Sequence, residues 1–359
     1  MLPSKPRTIL RSVARHVSSP SIHARPRPAL PPIPIALSPV FSRPNVEALH
    51  AFQCNRLFSS SSRASSATVD KVLGVAAALK AQEDDAFQVK PEIFDEFSLK
   101  GRVGVVSGGN GGLGLEMAVA LCEAGAKIHA LDLPAQPSSD FHACMAYVDK
   151  LKNGSSLTYH PTDVTDQSRI SSLVIDQIAR EEGRLDLCVA AAGILGPAEG
   201  ESCLKYSKKD WERVMKVNLD GVFYTCQAAA RGMVETGCKA GSIVMIASMS
   251  GSITNKDQPW VAYNTSKSGV LQMARSMACE LGKENIRVNT ISPGHIYTKM
   301  TAALLDVHPE TGDLWSNSNP LGRLGQVHEL RGVVTWLASD ASSFCTGSDI
   351  LVSGGHHSW

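Results

Sequence analysis

From about Leu99 onward the chain alternates short apolar runs with amphipathic stretches, and this alternation constrains the fold more than any other feature. The runs "RVGVVS", "KIHALDL", "SLTYHPTDV", "LDLCVAAAG", "GSIVMIAS" and "IRVNTIS" read as strands, and segments between them such as "GLGLEMAVALCEAGA" read as helices. A β-α-β-α succession predicts an α/β fold, a parallel sheet covered by helices on both faces. Crossovers between parallel strands are right-handed, so the expected product is a doubly wound sheet in a single domain. Such sheets bind ligands at the carboxyl ends of their strands.

The first strand runs into "SGGNGGLG", Ser107 to Gly114. Glycines at 108, 112 and 114 remove Cβ atoms where strand turns to helix, so the backbone can approach a pyrophosphate at the helix N-terminus. Ser107, Gly108, Asn110, Gly112, Leu113 and Gly114 are therefore candidate dinucleotide contacts, and the fold is predicted to be Rossmann-type. Asp132 ends the second strand, where a carboxylate would accept hydrogen bonds from an adenosine ribose; a turn or helix-cap aspartate is the alternative. A carboxylate there repels a 2′-phosphate, and the variable loop positions Gly109, Asn110 and Gly111 offer no cation to receive one. The expected cofactor is NAD rather than NADP. Asp163 in "PTDV" is expected near the adenine, and Gly193 ends the fourth strand beside the cofactor.

"YNTSK" places Tyr263 and Lys267 four residues apart at the head of a helical pattern, hence on one face. Such a pair alone arises often by chance. Together with the glycine spacing, Asp163, a serine ahead of the tyrosine, and "SPGHIYT", it resembles the short-chain dehydrogenase/reductase family over roughly residues 99–356. The resemblance implies a catalytic set of Ser248, Tyr263, Lys267 and Asn218, with Ser250 a rival for the serine. It also implies that Pro293, Gly294, Ile296 and Thr298 hold the nicotinamide carboxamide, and that Tyr263 and Lys267 contact the cofactor ribose. One departure is Ala190-Ala191-Ala192-Gly193, where the family carries Asn-Asn-Ala-Gly. A phenol titrating near 10 is a poor acid–base group at neutrality, and a nearby ammonium is expected to favour its ionised form.

"SMSGSITNKDQPWVAYNTSKSGV", a long interval between Ser248 and Tyr263, and the end "GGHHSW" resemble a fungal polyol branch of the family. Hydride transfer between NAD(H) and a sugar alcohol/ketose pair, such as D-arabinitol and ribulose, is implied. Candidate substrate contacts are Met249, Gln258, Trp260 and His295, with Leu195 and Tyr297 beside them, although core or interface packing suits each equally. Segment 299–320 is polar and rich in turn residues, as a substrate-covering lid would be. Relatives are commonly tetramers, and the apolar end "DILVSGGHHSW" suits an interface. The rival readings are a mitochondrial 3-oxoacyl reductase and a non-catalytic NAD-binding scaffold.

Residues 1–65 carry nine Lys and Arg against the single acid Glu47, whereas the rest of the chain is net acidic. This Arg-, Ser- and Pro-rich stretch has the composition of a mitochondrial transit peptide, with "NRLFSSSSRASS" similar to a processing site at about 57–66. The expected organisation is a disordered leader over 1–65, an extension over 66–98, and the NAD-binding domain over 99–359, located in the mitochondrial matrix. The acidic body shows no basic face for nucleic acid. No apolar run reaches the roughly 18–20 residues that span a bilayer. The nine cysteines have no metal-ligand spacing, so no metal is expected and reduced thiols are.

Overall fold

The computed structural model describes residues 72–358, apart from 198–199, 299–300, 303–304 and 307. The chain divides into two units, Met1–Lys71 and Val72–Trp359. The expected leader lies outside the described residues. Within the 66–98 extension, the helix Gly74–Glu83 buries no side chain, and Leu99 is the first fully buried apolar residue.

All six apolar runs form strands: β1 (Val103–Ser107), β2 (Lys127–Asp132), β3 (Ser156–Pro161), β4 (Leu187–Ala190), β5 (Gly241–Ile246) and β6 (Ile286–Pro293). A short pair follows, β7 (Ile296–Tyr297) with β8 (Gly325–Gln326), and then β9 (Asp349–Val352). The main sheet has seven strands in the order β3-β2-β1-β4-β5-β6-β9, every pairing parallel. The order reverses between β1 and β4, which opens a crevice at their carboxyl ends. Strand β9 is built from "DILV" of the terminal segment that suggested an interface; its half-buried residues pair with β6 as the sheet's edge.

Neighbouring residues on each central strand serve opposite cores, as the twofold repeat of a strand demands. Val105, Cys188, Ile243 and Met245 join one core with Ile170, Leu173, Val222, Met233 and Val270 from helices on that face. Val106, Leu187, Val189, Val244 and Ile246 join the other with Met117, Leu121, Phe141, Val334 and Leu337. Strands β1, β4 and β5 are therefore buried at every position, and read as continuous apolar runs. Two helices, over 167–182 and 208–235, contain π-helical stretches at Ser172–Ala179 and Lys216–Asp220. No helix among the described residues is long and apolar enough to cross a membrane.

Candidate active site

The glycines of the first loop meet three separate demands. Gly108 and Gly112 adopt positive φ of 69° and 53°, which L side chains rarely take. A Cβ on Gly108 would also lie 2.8 Å from the backbone of Ala192. One on Gly114 would overlap the carbonyl oxygen of Gly108, so the helix Gly112–Glu123 can seat on the loop only without a side chain there. That helix begins with no side-chain cap, which leaves N–H groups at its N-terminus for an anion. Leu113 is half-buried against the core behind it.

Asn110 braces this loop. Its N–H donates to Asp132 Oδ2 at 3.0 Å, and its Oδ1 and carbonyl accept from Ser138 N and Oγ at 2.7 and 2.8 Å. Asp132 Oδ1 accepts from Leu133 N at 2.8 Å. Each carboxylate oxygen keeps lone-pair capacity for a ribose hydroxyl. Asp163 is exposed just beyond β3, and its Oδ1 accepts from Thr165 N at 2.8 Å, closing the turn into the next helix. The segment lacking the family's two asparagines is held otherwise: Ser107 accepts from Ala191 N through its carbonyl at 3.2 Å and from Ala192 N through its hydroxyl at 3.4 Å.

The four catalytic candidates come together at the carboxyl ends of β4 and β5. Tyr263 and Lys267 lie one turn apart on the helix Val261–Leu281, and Ser248 follows β5, its hydroxyl accepting from Ser250 N at 3.1 Å and acting to lower the Tyr263 phenol. The rival Ser250 is buried, and its hydroxyl donates to buried Asn255 at 2.7 Å. Lys267 is buried, donates to Ile246 O at 2.8 Å, and sits 5.7 Å from the centre of the Tyr263 ring. Asn218 occupies the π stretch and is fully buried. Its amide grips both the N–H and the carbonyl of Ile194 at 2.8 Å and donates to Ser266 Oγ at 3.1 Å. A Cβ on Gly193 would lie 3.4 Å from Asn218 Oδ1 and 3.5 Å from Lys267 Nζ, so this glycine adjoins both groups.

The electrostatics differ from expectation. Burial pulls the Lys267 ammonium down to about 8. Burial pushes the Tyr263 phenol up, and the Ser248 hydrogen bond opposes this only in part. The lysine therefore does not bring the phenol toward neutrality, because desolvation acts on both groups.

Pro293 closes β6, and the next residue, Gly294, donates to Val352 O at 2.9 Å; a Cβ there would meet Ser353 Cα at 2.7 Å. Ile296 is buried in β7, and Thr298 exchanges backbone-to-hydroxyl hydrogen bonds with Thr301 at 2.7 and 3.1 Å. Of the substrate candidates, Trp260 packs edge-on to Tyr263 with centroids 6.4 Å apart. Gln258 lines an open groove with Trp260 and Asn264, and Leu195 is half-buried near Asn218's partner Ile194. Met249 is 2% exposed and packs as core, while Tyr297 is 45% exposed. His295 stacks on Trp315 with centroids 4.3 Å apart and planes 4° from parallel.

Trp315 belongs to the segment expected to be a polar lid. Its described part contains the helix Pro309–Asn317, which Trp315, only 3% exposed, anchors into the body. Sequence reasoning missed this residue, although Pro309 at the first turn is a helix-start signal. It also missed His356, whose ring meets His295 edge-on at 5.4 Å.

The arrangement can exchange a proton with a substrate oxygen at Tyr263, with Ser248 as second donor. The side-chain-free cradle, the uncapped helix end and Asp132 fit a nicotinamide dinucleotide. A family model described as enoyl-(acyl carrier protein) reductase matches residues 108–357. The NADH-dependent L-xylulose reductase of Ambrosiozyma monospora is 35% identical over 268 residues, 73% of this chain and 97% of that one. The ribulose-forming D-arabinitol 2-dehydrogenase of Candida tropicalis is 36% identical over 277 residues, 74% and 96% of the two chains. The NADP-dependent mannitol dehydrogenase of Hypocrea jecorina is 34% identical, covering 74% and 95%. Among solved structures, a short-chain type dehydrogenase/reductase from Mycobacterium marinum superposes with TM-score 0.67 at 36% identity, over 74% and 98% of the chains. With the loop, the tyrosine–lysine helix and the serine in the same fold as these relatives, this chain belongs to the short-chain dehydrogenase/reductase family.

Proposed function

We propose that this protein interconverts a sugar alcohol and its ketose, a pair such as D-arabinitol and ribulose, using NAD(H). The observation that carries the reading is the convergence of Ser248, Tyr263 and buried Lys267 at the carboxyl ends of β4 and β5, with Lys267 Nζ 5.7 Å from the centre of the Tyr263 ring. With its pyrophosphate at the glycine loop, a bound nicotinamide dinucleotide would supply the hydride exchange. Tyr263 Oη takes the proton of the substrate hydroxyl during oxidation and returns it during reduction. Ser248 donates to the substrate oxygen as charge develops there. Lys267 supplies positive charge beside the phenol. Asn218 holds residue 194 and thereby the wall next to Gly193.

The polyol and ketose substrates named for the L-xylulose reductase and the D-arabinitol dehydrogenase support the substrate class. Asp132 and the uncharged loop support NAD. Assay of protein lacking residues 1–65 with a panel of polyols and ketoses and both cofactors tests this. Turnover with NAD(H) is expected; absence of any polyol or ketose turnover removes the substrate class, and preference for NADP(H) removes the cofactor reading. Tyr263→Phe should nearly abolish turnover while leaving NAD binding intact. The basic leader supports residence in the mitochondrial matrix, which a fusion of residues 1–65 to a fluorescent protein would test. Family likeness supports a homotetramer, to be checked by sedimentation.

A further inference from the structure

Among the buried polar atoms that have no hydrogen-bond partner among the described residues are Nε1 of Trp315 and Nδ1 of His356. Buried groups of this kind are almost always paired, and an indole N–H can only donate. Three segments distant in sequence bring these two rings against His295. The helix Pro309–Asn317 carries Trp315, the residue after Gly294 carries His295, and the turn after β9 carries His356. His295 lies face to face with Trp315 at 4.3 Å and edge-on to His356 at 5.4 Å. Trp260 links this cluster to the reacting centre, with its ring 6.4 Å from those of both Trp315 and Tyr263.

We propose that Trp315 Nε1 and His356 Nδ1 form a hydroxyl-recognition subsite, which holds hydroxyls of an uncharged polyhydroxylated chain away from the carbon reacting at Tyr263. This deepens the polyol reading and rests on it. A hydroxyl oxygen accepts from the indole, and a hydroxyl hydrogen donates to a neutral imidazole. Burial keeps both imidazoles uncharged, His295 down to about 3 and His356 below its ordinary value. The walls therefore give an anionic substrate no counter-charge. Trp315 and His356 act here as specificity-determining residues, and the proton chemistry stays with Tyr263.

The test compares Trp315→Phe and His356→Phe with wild type in the full chain. The substrates are a pentitol and a secondary alcohol lacking the distal hydroxyls, the latter followed by its competitive inhibition constant if turnover is slow. Trp315→Phe removes the donor but also shortens the ring, so the simple alcohol reports the packing change separately. Each variant should raise KM for the pentitol about tenfold, the effect of one buried hydrogen bond. Each should leave kcat, and the constant for the simple alcohol, within about twofold. Equal losses on both alcohols would show a packing role, and unchanged constants would show no role; either overturns the subsite. If wild type acts on no polyol or ketose, the substrate reading fails, a different outcome from a wild type that acts on polyols while the variants match it.

Discussion

Replacing Lys267 with methionine should stabilise the ligand-free protein while removing its activity. Burial lowers this ammonium from 10.5 to about 8, so the folded state disfavours the charged form. At 1.36 kcal/mol per pH unit, keeping the lysine protonated costs the fold about 3 kcal/mol at neutral pH. Methionine has similar length and no charge to desolvate. The variant loses the hydrogen bond to Ile246 O at 2.8 Å, worth about 1 kcal/mol. The net gain is about 2 kcal/mol, a rise in Tm of roughly 4–8 °C for a domain of this order. The pH dependence isolates the cause. Between about pH 8 and 10.5 the unfolded chain holds a proton at Lys267 that the folded chain does not, so wild-type stability rises with pH across this window. The advantage of the variant should be full below pH 8 and should vanish as pH approaches 10.5. Thermal melts of both cofactor-free proteins at pH 7, 8, 9 and 10 measure this difference. A gap that stays constant with pH, or a variant less stable at pH 7, would refute the argument.

Other changes should separate close neighbours. Gly114→Ala should cost several kcal/mol and abolish NAD binding, because its Cβ meets backbone, whereas Gly112→Ala, strained but facing open space, should cost only about 1–2 kcal/mol; melts and fluorescence titration compare them. Ser248→Ala should lower kcat about 10²–10³-fold. Ser250→Ala should lose about 1–2 kcal/mol of stability through its bond to Asn255 and keep kcat within about tenfold of wild type. Asp132→Ala should weaken NAD binding about tenfold and narrow the preference over NADP, as read by titration with both cofactors.

Much of the site was legible in the chain because its signals are local. Six runs marked β1 to β6, and the central β1, β4 and β5 were plainest because they are buried at every position. The loop glycines and the Tyr263–Lys267 face follow from spacing within one turn and one helix, which needs no knowledge of the rest of the fold. What spacing could not supply was the partner of each side chain. The motif favoured Ser248 over Ser250, but that the Ser250 hydroxyl donates to Asn255 could be seen only in the fold. Asn218 was singled out by resemblance, but its grip on both backbone groups of Ile194 was not legible in the chain. Met249 looked like a pocket residue by adjacency and proved to be core.

Segment 299–320 shows the same division. Its polarity suggested a loop, and its lone Trp315 carried no periodicity to mark a buried face. That tryptophan is buried because His295 and Trp260 come from other elements to cover it. The amino-acid order by itself determined which residues could do hydride chemistry, through local backbone geometry and periodicity. Which hydroxyls those residues would meet was decided only in three dimensions, where the edge strand β9 lies beside β6 and brings His356 within reach of a ring 61 positions earlier in the chain, His295.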